Sequence, residues 1–88
     1  MALTLAEKTR VKDAFNEAAR NAPFPDQPVM ILNGKQYSIK KMAAEVHAET
    51  EFGRSMFEMF DFVRGKAPLT KPMVDRIIDR FVVRPPQR

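Results

Sequence analysis

The sequence predicts a small α+β domain, mainly helical: a helix, a β-hairpin, then three more helices packed as one unit. Three observations carry this. Apolar residues recur at helical spacing in four separate stretches. A single Asn33-Gly34 dipeptide lies between two short runs, Val29–Leu32 and 35–38. Prolines at 23, 25, 28, 68, 72, 85 and 86 fall between or at the ends of those stretches.

The first stretch opens with a capping box, Thr4 followed by Glu7, in which each side chain serves the other's backbone N–H. Val11, Ala14, Phe15, Ala18 and Ala22 then mark one face. A helix is predicted over Leu5–Asn21, its buried stripe mostly alanine with one Phe. Pro23, Pro25 and Pro28 exclude helix across the next segment. Asn33-Gly34 suits both positive-φ positions of a type I′ turn, so residues 29–32 should pair with 35–38. An isolated hairpin is marginal in water, so a helix must cover one of its faces.

Ser38 is placed to cap a helix over Ile39–Ala48, with Ile39, Met42, Ala43 and Val46 on one side. His47 falls at the edge of that side and is read as partly buried and bonded to the backbone. Thr50 is the next N-cap, with Glu51 favoured near the helix dipole. From Phe52 to Arg64 runs the most apolar helical stretch, and Gly65 is the residue expected to end it at C′. Gly53 weakens the first turn and suggests a kink or turn near residues 48–53. Thr70 caps the last helix, Pro72 fits its first turn, and the helix should run to Val82 or Val83. Residues 1–83 are thus expected to form one compact domain, and residues 84–88 a basic, Pro-containing tail.

Composition narrows the function. The chain has 88 residues, enough for one small core, with 44% hydrophobic and 30% charged residues. It has no cysteine, which excludes disulfides, thiolate nucleophiles and thiolate metal sites, and one histidine, which excludes a multi-His site. The longest apolar run, Val29–Leu32, is too short for a bilayer. No signal-peptide pattern opens the chain, so the cytoplasm is the expected compartment and no membrane partner is expected.

Enzymatic signatures are missing. There is no GxGxxG, GxxxxGK[ST] or HExxH. Ser38 and Ser55 are the only serines, and capping or helix-surface roles account for both. A Ser–His–Asp arrangement built on His47 has no source of an oxyanion hole. Asp75 and Asp79 share one helix face, but Arg76 and Arg80 beside them point to a salt-bridged surface, not a metal site. No enzyme activity and no cofactor are therefore expected.

Two binding surfaces stand out. Met56, Phe57, Met59, Phe60 and Phe62 crowd one helix. Methionine is adaptable and recurs at surfaces that accept partner helices, although a very small core also needs such residues for volume. On a helical wheel Phe57 and Phe62 each lie about 60° outside the main apolar stripe, on opposite flanks. One of them should stay exposed in the monomer. Phe57, Met59 and Phe62 are the candidate residues for a protein partner or for self-association. The second surface is the basic last quarter: Arg64, Lys66, Lys71, Arg76, Arg80, Arg84 and Arg88 against Asp75 and Asp79, within a net charge of +4. Such asymmetry suits nucleic acid, but its spread over the whole quarter, with no dense block, favours a solvated face and tail. A helix-turn-helix over residues 39–60 is a poor reading, because its second helix would be net acidic around a large apolar stripe.

The leading expectation is a small non-enzymatic protein-interaction module, acting as regulator, adaptor, inhibitor or assembly subunit through the Met/Phe-rich helix. The alternative is a nucleic-acid-binding protein that uses the basic quarter.

Overall fold

A computed structural model describes residues 3–82. Four helices and one hairpin follow in the predicted order: α1 (Leu5–Asn21), β1 (Pro28–Leu32), β2 (Lys35–Ser38), α2 (Ile39–Ala48), α3 (Glu51–Arg64) and α4 (Lys71–Asp79). Helix α1 packs against α2 and α4; α2 packs in turn against α3 and β2. Phe15 of α1 meets Phe60 of α3 edge-on in the centre, ring centroids 6.3 Å apart.

Each helix starts where a side-chain oxygen meets a free amide. Thr4 accepts from the Glu7 N–H at 3.1 Å, while the Glu7 carboxylate accepts from the Thr4 N–H at 2.8 Å. Ser38 and Thr70 accept from the third residue of α2 and α4. A buried residue precedes each of these three starts: Leu3 before Thr4, Tyr37 before Ser38 and Leu69 before Thr70. Buried Met42 and Val74 hold the fourth positions of α2 and α4, so Tyr37 and Leu69 occupy staple positions that fix how the chain enters those helices; Lys8 stands there in α1. Arg10 holds the α4 entry from α1, donating to the Leu69 carbonyl at 2.7 Å.

Strands β1 and β2 are antiparallel, with Leu32 opposite Lys35, Met30 opposite Tyr37 and an irregularity between Pro28 and Met30. Asn33 and Gly34 both have positive φ, 53° and 77°, as the two-residue turn requires. The Tyr37 ring stacks on Phe52 of α3, and so one face of the hairpin is covered.

One local expectation is sharpened and three are corrected. The turn expected near residues 48–53 lies at Glu49 and Thr50, between α2 and α3, and Gly53 adds no kink: α3 is continuous from Glu51, and Gly53 is buried where α3 touches the end of α2. A Cβ there would lie 2.3 Å from the Glu45 carbonyl oxygen and 2.9 Å from the Val46 Cα. The residue is small because two backbones meet. Gly65 ends α3 in right-handed geometry, φ −62°, so its freedom to take positive φ is unused. Instead, the connector between α2 and α3 holds the left-handed residue, Glu49, at φ 54°. Helix α4 stops at Asp79, short of Val82. Phe81 and Val82 donate to the carbonyls three residues back, which tightens the last turn away from α geometry. Finally, His47 is exposed, not partly buried. It sits in the last turn of α2, where a basic group complements the helix dipole, and the chain turns away at Glu49 before anything can cover it. The predicted tail, residues 84–88, lies outside the described residues.

Candidate interaction surface

Helix α3 presents most of its aromatic rings to the interior. Phe52, Met56, Phe57 and Phe60 are buried, and Met59 and Val63 are half-buried against the same core. The wheel places Phe57 and Phe62 on opposite flanks of this stripe, and the structure treats those flanks differently. On the Phe57 side, α1 begins: Leu3 borders the same small cleft as Phe57, and the Lys8 ammonium stands 5.5 Å from the ring centroid. Phe57 is only 6% exposed. On the other flank Phe62 is 67% exposed, with the Lys66 ammonium 4.9 Å from its ring centroid. The three candidate partner residues therefore sit in three different settings: Phe57 inside, Met59 at the boundary, Phe62 outside. What sequence reasoning missed is Leu3, which lines that flank together with Lys8. Its signal was its place one residue before a capping box.

Around Phe62, α3 carries Glu51, Arg54, Ser55 and Glu58 toward solvent or at its edge. The Ser55 hydroxyl donates to the Glu51 carbonyl at 3.1 Å, and the Ser38 oxygen is occupied by the cap of α2. Both hydroxyls thus have the local roles their positions suggested. Between the hairpin and the first turns of α3 lies a cleft of about 250 Å³, bordered by Leu32, Tyr37, Phe52, Glu51 and Ser55. A second groove, about 210 Å³, runs between α1 and α4 over Ala14, Ala18 and Ile78, with Glu17, Asp75 and Asp79 beside it.

The basic quarter is not one uniform patch. Arg64 donates to Glu7 at 2.7 Å and to Asp61 at 2.9 Å, tying the end of α3 to the start of α1. Lys71 pairs with Asp75 at 2.7 Å and approaches Glu17 at 3.7 Å. The carboxylate of Asp75 raises the Lys71 pKa above its ordinary value. Asp75 thus takes Lys71, one turn back, as its partner; the flanking arginines were the expected ones. Lys66 lies on Phe62. Arg76 on α4 and Arg80 just past its end are exposed. Arg84 and Arg88 lie outside the described residues. Among the described residues no group of three or more His, Asp or Glu side chains is placed to hold a metal ion. Nor is any helix among them long and apolar enough to cross a membrane.

No protein-family model matches the chain, and no curated protein or solved structure matches it either.

Proposed function

We propose that this chain is a small non-enzymatic protein-interaction module, acting in the cytoplasm as a regulator, adaptor, inhibitor or assembly subunit. Its contact surface is the outward side of α3, with Phe62 as the anchor and Met59 at the margin. One observation carries the reading: on a helix whose other phenylalanines are all buried, Phe62 stands two-thirds exposed. An aromatic ring in water is a cost that a partner removes, and aromatic side chains dominate contact hot spots. Phe57, which sequence reasoning paired with it, supports the helix from inside.

The test is affinity capture with the chain and with Phe62→Ser, read by mass spectrometry, after circular dichroism has shown both to be folded. Burying a Phe at a contact contributes about 2 kcal/mol, so the variant should hold a true partner roughly 30-fold more weakly. A partner retained equally by both proteins rejects Phe62 as the anchor.

Exposed Arg76 on α4 and Arg80 just past its end support a second reading, contact with a nucleic-acid backbone. The carboxylates beside Arg64 and Lys71 weaken it. Retention on immobilised DNA or RNA that falls steeply with salt, and is lost in Arg76→Ala/Arg80→Ala, would favour this reading over the first.

A further inference from the structure

The outward strip of α3 has an order that the exposed ring alone does not explain. At 100° per residue, Glu51, Ser55, Phe62 and Lys66 fall within about 60° of one another. Lys66 follows the helix end in a hydrogen-bonded turn, its N–H on the Val63 carbonyl, and its ammonium lies against the Phe62 ring. Along this strip the order is acid, small polar residue, aromatic ring, base. Among the described residues, neither Glu51 nor Lys66 is in an ion pair.

Turning such a strip end for end about the midpoint between residues 58 and 59 exchanges position 51 with 66, and 55 with 62. The acid of one copy then meets the base of the other, and the large ring meets the small residue. This is the self-complementarity that a two-fold contact requires. The small residue also borders the cleft between the hairpin and α3, where Leu32 and the edges of Tyr37 and Phe52 stand among polar groups that include Lys35, Glu45 and Thr50.

We propose that the outward strip of α3 is a two-fold contact between copies of this chain, in which Phe62 of each copy enters the cleft beside Ser55 of the other and Lys66 of each pairs with Glu51 of the other. The proposal rests on the reading of α3 as an interaction surface and names its occupant. Near the axis, Met59 of both copies lies along one rim and Glu58 of both along the opposite rim. The Met pair adds apolar contact, whereas the Glu pair opposes association. One helical strip covers less area than the roughly 800 Å² per partner of standard complexes, so the dimer is a weak one.

Sedimentation equilibrium over chain concentrations from about 10 μM to 1 mM reads the association. The average mass should rise from one chain toward two. Phe62→Ser should stay folded by circular dichroism and remain monomeric, and Glu58→Gln should shift dimerisation to lower concentration. The deciding arm is charge exchange. Glu51→Lys alone and Lys66→Glu alone each set like charges face to face at both ends and should be monomeric. An equimolar mixture of the two restores opposite charges at both ends of a heterodimer, and so should recover association, as should the double variant. A chain that stays monomeric at 1 mM overturns the proposal. So does a dimer whose mixed single variants fail to recover. If the chain is monomeric yet Phe62→Ser loses a captured partner, self-association falls and the broader reading of α3 stands. If neither assay responds to Phe62→Ser, both fall.

Discussion

Tyr37 and Phe52 stack with their ring centroids 4.1 Å apart and their planes 16° from parallel. The Lys41 ammonium stands 5.0 Å from the Tyr37 ring centroid as well. This stack is how a two-stranded hairpin, too small to be stable alone, is fastened to the helices. Phe52→Ala should cost about 3–5 kcal/mol, the usual range for deleting a buried ring. Hydrogen exchange should accelerate more at the hairpin amides than at those of α1, because the hairpin loses its cover first. Uniform acceleration across the chain would mean that the hairpin is held by other contacts.

At Gly53 the backbones of α2 and α3 meet. A methyl group there collides with backbone, which cannot swing aside as a side chain can. Gly53→Ala, ordinarily favourable in a helix, should destabilise by about 3 kcal/mol. A gain in denaturant midpoint would show that α2 and α3 can separate without loss.

At Gly34 the opposite holds. Nothing lies within 4 Å of a Cβ, yet φ is +77°. Gly34→Val should therefore lose about 1–3 kcal/mol by backbone strain alone. Gly34→Asn should lose much less, since Asn tolerates the left-handed region. Equal thermal melts for all three proteins would remove the type I′ assignment.

Acid should loosen the start of α1 and its link to the α2–α3 connector. The Thr4 N–H, with the Arg64 guanidinium and the Thr4 hydroxyl oxygen's cap around it, holds the Glu7 carboxyl below the ordinary glutamate value of 4.5. Lys12 first, then Lys8, does the same for Glu49. A carboxyl whose pKa is lowered on folding stabilises the fold above its unfolded pKa, and that stabilisation disappears as pH falls through the folded value. Urea midpoints should therefore be level near neutrality and decline from about pH 4.5 downward. Glu7→Gln and Glu49→Gln should each start lower at pH 7 and show a shallower decline. A decline as steep as the parent's in both would assign the acid sensitivity to other groups.

Much of this protein was legible in the linear chain because the deciding interactions span three or four residues. The caps at Thr4, Ser38, Thr50 and Thr70 and the Asn33-Gly34 turn are local hydrogen-bond and torsional preferences. They mark where elements begin and reverse before any packing exists. Helical periodicity told which faces turn inward for the same reason. Residues whose roles depend on a distant partner were read less well. Gly53 looked like a weak helix start because the Glu45 carbonyl that excludes a side chain belongs to another helix. Asp61 and Asp75, one turn from Arg64 and Lys71 on the same helices, were legible as their partners, whereas Glu7 and Glu17 reach those cations only when α1 folds back. Phe57 and Phe62 are equivalent on a wheel. Only the tertiary structure separated them, by laying the start of α1 with Leu3 and Lys8 along one flank of α3 and leaving the other open.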